Sequence, residues 1–377
     1  MDINPAVKLP KDKLLSFVEM KDLESNKRHC MPSQNRLLSG GSKFENGDTL
    51  FARITPCLEN GKICQVKGLK NGKGFGSTEF HVFRGKRGIS DSDFVYYLSR
   101  WDDVRDHAEI NLDGTSGRQR VPKQAFDDLI LLLPPLPEQF SIASVLSSLD
   151  DKIDLLHRQN ATLEKIAETL FRQWFVEEAK EEWVDILITS LFEIKDGTHD
   201  SPKQKGFGKK LITSKHLSEY SIDFNSAYYI SDEDYTQINQ RSKVNSGDIL
   251  FSMIGTVGRV YLEQSEEVNY AIKNVGLFKT SQNPMWTYFM FLWLKSDLGQ
   301  EFIYENISGS TQEYIALGSL RSIVFKAPNF ERIQDFHHFV SCYFDKIRYN
   351  QQQIHTLTSL RDSLLPKLMS GEIRVEI

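Results

Sequence analysis

The chain has 377 residues, of which 40% are hydrophobic and 26% charged, and its formal net charge is −5. This length exceeds one comfortable hydrophobic core, so composition and length predict a protein of several globular domains. No apolar run reaches membrane-spanning length, and the N-terminus lacks a basic segment followed by an apolar one. We therefore expect neither a membrane anchor nor secretion, and a cytoplasmic location.

The first 134 residues have the short β-rich runs and Gly, Asn and Ser turns of an α+β globule. The predicted strands are 49–54, 63–66, 79–83 and 129–133, and an aromatic-rich helical stretch covers 94–110. The glycine-rich run 72–76 lacks the spacing of a phosphate-binding loop. We interpret it as a flexible loop.

Residues 135–180 are predicted to form one long helix, which begins after Pro134, Pro135 and Pro137. Apolar or small residues recur with alternating gaps of four and three, which is the pattern of a coiled-coil seam. This seam consists of Leu149, Ile153, Leu156, Asn160, Leu163, Ala167, Leu170 and Trp174. Asn160 fits either a residue that fixes helix register or a tolerated polar residue at a wet end of the seam.

Residues 181–328 repeat the globular pattern, with predicted strands at 211–213, 249–253, 258–262, 271–278 and 322–325. Residues 329–377 then form a second long helix, in which Pro366 should kink or fray the last turn. Its seam consists of Ile347, Ile354, Leu357, Leu364 and Leu368, with polar interruptions at Asn350 and Arg361. Neither helix can bury its stripe alone, so we expect the two to pack on each other.

The second half of the chain repeats the first at an offset near 200 residues. The run Gly47-Asp48-Thr49-Leu50-Phe51 matches Gly247-Asp248-Ile249-Leu250-Phe251, and Asp151-Lys152-Ile153 matches Asp345-Lys346-Ile347. The predicted fold is therefore α+β: two mixed globules related by internal duplication and separated by two long coiled-coil helices. These helices run antiparallel if a pseudo-two-fold axis relates the copies.

Net charge is unevenly distributed. Residues 1–133 have 21 basic and 18 acidic groups, whereas residues 181–330 have 14 and 19. Glu79 is the one acid between Lys62 and Arg87, a run with seven basic groups, and no acid lies between Lys203 and Lys215. Such runs can follow a phosphate backbone, although a solvated loop face explains each of them equally well.

Little in the sequence indicates catalysis or metal binding. Asn4-Pro5-Ala6-Val7 and Asn283-Pro284-Met285-Trp286 lack the second proline of the Asn-Pro-Pro-aromatic loop that amino-methyltransferases use to hold a flipped base, and the first of them also lacks its aromatic residue. Turn chemistry explains the 196–200 run, Asp-Gly-Thr-His-Asp, without a metal. Cys30, Cys57, Cys64 and Cys342 follow neither disulfide nor zinc spacing and are interpreted as reduced, packed thiols. We expect a chain that is not an enzyme by itself and binds no cofactor or metal.

Taken in order, the motifs resemble the specificity (S) subunits of Type I restriction-modification enzymes over nearly the whole chain. The segments that carry the resemblance are 47–63, 75–80, 114–121, 133–139, 196–202 and 364–373. Each of them is weak alone, but their joint order is specific.

The resemblance implies two target-recognition domains, 1–134 and 181–328, each of which reads one half of a bipartite DNA site. It also implies that the helices 135–180 and 329–377 hold these domains at a fixed separation. Family members dock two modification subunits, which carry S-adenosylmethionine and methylate adenine N6, and restriction subunits can join them. Double-stranded DNA and these subunits are therefore the expected partners.

Polar side chains and arginines read base edges, whereas lysines fix register on phosphates. In the first globule the candidate DNA contacts are Arg53, Thr55, Asn60, Lys62, Ser77, Thr78, Thr115, Ser116, Arg118, Gln119 and Arg120. In the second they are Lys203, Lys205, Lys215, Lys273, Asn274, Ser310, Thr311 and Gln312. The loop 114–120 is the best candidate, and Arg118 or Arg120 could pair with guanine or grip phosphate.

Two interpretations remain open. The segments that open the second globule, 183–186 and 192–197, have no counterpart in the first globule, which is therefore expected to be short by about one strand and turn. A natural variant, a truncated start or a half with weakened reading would each explain this. The overall negative charge also fits a duplicated scaffold that joins protein partners without reading DNA.

Overall fold

The computed structural model describes residues 1–115, 117–218 and 221–375. They form two compact units. The first unit is Met1–His157 together with Gln352–Ile377, and the second is Arg158–Gln351. Each unit therefore combines a globule with parts of both long helices, and the predicted limits at 134, 180 and 328 stay a prediction.

The helices and strands are numbered in chain order. The helices are α1 (Ser92–Arg100), α2 (Asp102–Ile110), α3 (Leu136–Arg172), α4 (Asp232–Ser242), α5 (Thr287–Lys295), α6 (Asp297–Asn306), α7 (Leu317–Arg321) and α8 (Phe330–Ser370). The strands of the first unit are β1 (Asp2–Ile3), β2 (Leu14–Val18), β3 (His29–Cys30), β4 (Gln34–Leu37), β5 (Ser42–Glu45), β6 (Thr49–Ala52), β7 (Ile63–Val66), β8 (Lys73–Gly76) and β9 (Phe80–Arg84). Those of the second unit are β10 (Val184–Leu187), β11 (Ile194–Asp196), β12 (Lys209–Thr213), β13 (Tyr229–Ile230), β14 (Ile249–Ser252), β15 (Val260–Leu262), β16 (Tyr270–Lys273), β17 (Val275–Phe278), β18 (Ile307–Ser308), β19 (Tyr314–Ile315) and β20 (Val324–Ala327).

The sheets of the two units follow one plan. In the first unit the strand orders are β1-β9-β6-β7-β3 and β4-β2-β8-β5, and in the second β11-β17-β14-β15 and β13-β12-β16. β2 and β8 pair in parallel, as do their counterparts β12 and β16. The helix pair α1–α2 likewise corresponds to α5–α6. These matches confirm the internal duplication.

The repeated Gly-Asp pair owes its recurrence to the aspartate. The buried carboxylate of Asp48 accepts a hydrogen bond from the backbone of Glu45 at 2.7 Å, and that of Asp248 does the same from Asn245 at 2.7 Å. Each carboxylate also forms an ion pair with a cation from a neighbouring strand or its end, Arg84 in the first unit and Lys279 in the second. Each aspartate thereby links the turn that precedes its strand to a neighbouring strand of the sheet.

The glycine-rich run 72–76 contains a strand, so the interpretation as a flexible loop is wrong. β8 lies against β2 so closely that a Cβ on Gly74 would lie 2.8 Å from the carbonyl oxygen of Ser16. A Cβ on Gly76 would lie 2.5 Å from that of Val18. Glycine is therefore required by a close approach of two backbones.

The long helices pair antiparallel within each unit, as predicted. In the first unit Arg361 of α8 donates to Asp150 of α3 at 2.7 Å, and Leu368 packs in one core with Ala143. Residue numbers thus rise along α3 as they fall along α8.

In the second unit Asn350 of α8 donates to Asn160 of α3 at 2.8 Å, and the rings of Trp174 and Phe336 are 5.7 Å apart. The numbering again runs in opposite directions.

The seam residues lie at these contacts. Ile153, Leu156, Asn160, Ala167, Ile347 and Leu368 are buried, and Leu149, Leu163, Leu170, Trp174, Ile354, Leu357 and Leu364 are half-buried. Asn350 and Arg361, which interrupt the second seam, are buried as partners of Asn160 and Asp150. α8 continues through Pro366 to Ser370, so the proline does not end the helix.

Three sequence-based assignments change. The predicted strand 271–278 is two strands, β16 and β17, which belong to different sheets. The predicted strand 129–133 is not formed: Leu129 and Leu131 pack on the core, while Ile130 and Leu132 are exposed. Its counterpart β20 is a strand because β10 pairs with it. The expectation that 192–197 has no equivalent in the first unit is wrong. β1 pairs with β9 in the first unit as β11 pairs with β17 in the second.

Candidate nucleic-acid interface

Three segments of the first unit meet at one surface: 53–55, 77–79 and the loop 111–121. Backbone hydrogen bonds connect Arg53 to Glu79 at 3.0 Å and Val121 to Arg53 at 2.8 Å. The Thr55 hydroxyl accepts from the backbone N–H of Gln119 at 3.1 Å, and the Thr55 N–H donates to the Gln119 carbonyl at 3.0 Å. The structure therefore brings together most of the predicted residues of the first globule.

The two arginines of this loop differ in their surroundings. Arg120 donates to both carboxylate oxygens of Glu79, at 2.9 Å through Nε and 2.8 Å through Nη2. These hydrogen bonds hold the pKa of Glu79 below its usual value. Arg118 is exposed, and its side chain forms no hydrogen bond or ion pair with another described residue. Arg118 is thus the freer of the two to reach a base edge, because Arg120 would first have to leave Glu79.

Other predicted contacts of the first unit have structural roles. Thr55 is buried, and the half-buried Lys62 donates from Nζ to the Met20 carbonyl at 2.9 Å. Ser77 is half-buried and accepts from the backbone of Glu79 at 3.1 Å. Asn60, Thr78 and Thr115 are exposed. Ser116 lies outside the described residues.

Two cations of the basic run 62–87 in the first unit already form ion pairs. Arg84 pairs with Asp48 and Glu45, and Lys73 pairs with Glu45 at 3.0 Å. The acids that neutralise them precede the run in sequence and reach it through the pairing of β5 with β8 and of β6 with β9.

In the second unit a buried serine joins three segments. Ser214 donates from Oγ to the Asn274 carbonyl at 2.8 Å and accepts from the backbone of Met253 at 3.2 Å. The segment that follows Met253 in turn contacts the 309–313 hairpin loop, since Gly255 donates to the Glu313 carbonyl at 2.9 Å. Lys215, Asn274 and the loop with Ser310, Thr311 and Gln312 are thereby drawn toward one face.

The hairpin loop between β18 and β19 depends on Gly309. Its φ is +95°, and a Cβ there would lie 2.3 Å from the Gln312 carbonyl oxygen. Ser310, Thr311 and Gln312 are exposed at the tip of this tight turn. Their side chains are therefore presented on a fixed backbone.

The remaining lysines are distributed along the segment that leads into β12. Lys203 and Lys205 are exposed, and the backbone of Lys205 donates to the Tyr229 carbonyl at 2.9 Å. Lys273 donates from Nζ to the Ser201 hydroxyl at 2.5 Å, which places residue 201 beside the end of β16. Lys273 and Asn274 thus lie with Lys215, whereas Lys205 lies at the β13 edge.

A polar cluster lies at the end of β11. Asp196 is buried and accepts hydrogen bonds from Arg241 and from His199 Nε2, the latter at 2.9 Å. His199 Nδ1 lies 2.8 Å from Asn274 Oδ1. The 196–199 motif gave a signal in the sequence, but nothing connected it to Arg241, which is 45 residues away.

The described residues contain no group of three or more His, Cys, Asp or Glu that could hold a metal ion. Nor does any helix among them have the length and apolar character needed to cross a membrane. All four cysteines are free. Cys342 is exposed, so the prediction of a packed thiol is wrong for this residue.

Comparisons with known proteins agree with this architecture. Residues 40–165 and 180–359 match the sequence profile of the Type I restriction modification DNA specificity domain. The chain is 26% identical to the Type I restriction enzyme MjaIX specificity subunit of Methanocaldococcus jannaschii, over 76% of this chain and 70% of that protein. It is 24% identical to the HindI specificity subunit of Haemophilus influenzae, over 95% and 94%.

A third relative, the EcoAI specificity subunit of Escherichia coli, is 30% identical over 49% of this chain and 34% of its own length. Among solved structures, the S subunit of a Type I restriction-modification system from M. genitalium superimposes with a TM-score of 0.52 at 16% identity. That match covers 98% of this chain and 93% of the other. It shows a shared fold.

Proposed function

Because the chain belongs to the Type I restriction-modification DNA specificity family, we propose that it supplies the sequence specificity of such a complex by reading a bipartite DNA site. The family domain occurs twice in the chain. Each copy lies in a unit that presents exposed polar and basic loops. This pairing of two family domains with two loop surfaces is the observation that carries the proposal.

Each surface suits the recognition of duplex DNA. Arg118 in the first unit, and Lys215 with the 310–312 tip in the second, are exposed side chains on loops that the backbone holds in place. Direct readout needs such donors and acceptors at defined positions, while neighbouring cations bind phosphates. We assign one half-site to each unit.

Chemistry on the DNA belongs to partners. Specificity subunits are not catalytic by themselves, and this chain is one of them. We propose that it docks two modification subunits, which hold S-adenosylmethionine and methylate adenine N6, and that restriction subunits can join the complex. The long helices are the proposed spacer between the half-sites, and the cytoplasm, where the chromosome is accessible, is the proposed location.

Mapping of N6-methyladenine across the genome tests this proposal. Cells that carry this gene and the gene for its modification subunit are compared with cells from which only this gene is deleted. We expect a split motif with a fixed spacer to lose its methylation on deletion. A complementing copy of the gene should restore it.

Unchanged methylation in the deletion strain, with all subunits expressed and assembled, would refute the proposal. The chain would then be better described as a scaffold that joins proteins without reading DNA. A motif without a gap would retain DNA recognition but refute the assignment of one half-site to each unit.

A further inference from the structure

The carboxylate of Asp196 has an arrangement that a purely structural aspartate does not need. It is 3% exposed at the end of β11, yet both side chains that donate to it lie at the surface. Arg241, from the last turn of α4, is 59% exposed, and His199 is 65% exposed. A buried acceptor thus fixes two exposed donors.

These donors join the predicted DNA-facing residues. The second ring nitrogen of His199 lies 2.8 Å from Asn274 Oδ1. Asn274 in turn accepts a hydrogen bond from Ser214, beside Lys215, and follows Lys273 in the chain. Arg241, His199, Lys273 and Asn274 therefore form one continuous polar surface. Asp200, an exposed acid, lies in the turn that follows His199.

We propose that Arg241 and His199 contact the DNA backbone in the half-site read by the second unit, and that Asp196 is the positioning residue that holds them. This inference rests on the proposed function. A guanidinium has several N–H groups in a rigid fork, and the Asp196 contact uses only Nη2 of Arg241. The remaining N–H groups can bind a phosphate oxygen without release of the carboxylate.

The described residues of the first unit do not form an equivalent of this cluster. In chain order α4 lies between β13 and β14 and contacts β16, whereas β5 lies between β4 and β6 and pairs with β8. The first unit has no helix there to carry an equivalent of Arg241 among its described residues. Loss of the contact should therefore affect one half-site only.

The test uses the complex of this chain with its modification subunits and a duplex that carries the split motif found by methylation mapping. Binding is measured over a series of salt concentrations for the wild type, Arg241→Ala, His199→Ala and Asp196→Asn. The matched control is Arg172→Ala, because Arg172 is also an exposed, ion-paired arginine of the second unit, with 63% of its side chain exposed. Size-exclusion chromatography and thermal melting establish that each complex is assembled and folded.

We expect Arg241→Ala to weaken binding about tenfold and to reduce the slope of log affinity against log salt by about one, as for a lost phosphate contact. His199→Ala should weaken binding to a smaller degree. Phosphate-ethylation interference should change in one half-site. Arg172→Ala should bind as the wild type does.

The direction in which Asp196→Asn changes DNA affinity tests the positioning role of Asp196. Removal of a negative charge from a DNA-binding surface should by simple electrostatics tighten binding, whereas loss of a positioning residue should weaken it. Tighter binding by Asp196→Asn would overturn the inference. So would an Arg241→Ala complex that binds like the Arg172→Ala control.

The two proposals can fail separately. If the wild-type complex shows no preference for the split motif, the proposed function fails and the inference with it. If the wild type is specific but the Arg241 and Asp196 variants keep its affinity and salt slope, the cluster serves only to attach α4 to the sheet.

Discussion

The buried ion pair between Asp150 of α3 and Arg361 of α8 allows a quantitative test of helix pairing in the first unit. The two side chains are 5% and 11% exposed, and Arg361 Nη1 lies 2.7 Å from Asp150 Oδ1. The hydroxyl of Tyr97 donates to the other carboxylate oxygen at 2.6 Å. Burial of the Tyr97 hydroxyl raises the pKa of Tyr97, and the negative charge of Asp150 and the hydrogen bond to it raise this pKa further.

Arg361→Met should lower the free energy of unfolding by about 3–5 kcal/mol, because it leaves the buried Asp150 charge without its counterion. That is a large part of the roughly 5–15 kcal/mol by which a typical protein is stable. The triple variant Tyr97→Phe/Asp150→Leu/Arg361→Met should recover most of this loss, since it removes charge and unpaired hydroxyl together. The pair thus specifies the contact more than it stabilises it.

Urea unfolding followed by circular dichroism measures both variants. The control is Arg348→Met, which removes an exposed partner of Asp345 and should change stability by less than about 0.5 kcal/mol. A loss below about 1 kcal/mol for Arg361→Met would mean that water compensates the carboxylate. A triple variant as unstable as the single one would refute the reasoning from burial.

Three further predictions concern the core, the seam and the DNA surface. Burial lowers the pKa of His81 to about 4, so the unfolded state binds its proton first as pH falls below about 6.5. His81 alone should therefore contribute a loss of about 2 kcal/mol of stability between pH 7 and pH 5, so the loss for His81→Gln should be smaller than that of the wild type by about this amount in denaturant unfolding at both pH values. Asn160→Leu alone should cost about 1–3 kcal/mol, because the Asn350 amide loses its 2.8 Å hydrogen bond to Asn160 and keeps only the 3.4 Å one to Gln159; the variant with leucine at both positions should regain it in the same assay. Arg118→Ala should relax methylation at one position of one half-site by about 1–3 kcal/mol, whereas Arg120→Ala should weaken binding without that relaxation, as read from methylation maps of the two variants.

Local patterns predicted the scaffold well. The Gly-Asp turns, the helical stretch 94–110 and the seam of α3 each depend on residues within a few turns of one another, although the structure divides 94–110 into α1 and α2. Asn160 was singled out by its place in a heptad, and its partner Asn350 was visible as an interruption in the second seam.

Features that depend on distant segments were missed. The run 129–133 is apolar enough for a strand, but a strand also needs a neighbour, and the first unit provides none among its described residues. Gly74 and Gly76 looked flexible because the close approach of β2 cannot be read from residues 72–76. Thr55 and Lys62 have side chains suited to DNA contacts, but in the structure these side chains form hydrogen bonds with backbone groups of the first unit.

The negative net charge, which favoured a scaffold at the sequence level, has a physical explanation in the two surfaces. Each surface holds a cation with a carboxylate: Glu79 binds Arg120 in the first unit, and Asp196 binds Arg241 in the second. A surface that only adheres to DNA needs free cations, because phosphate attraction has little directional requirement. A surface that distinguishes base sequences needs its donors at fixed positions, and a carboxylate can fix them. Acids close to the arginines are therefore expected in a reader of DNA sequence, and total charge is a poor guide to whether such a chain binds DNA.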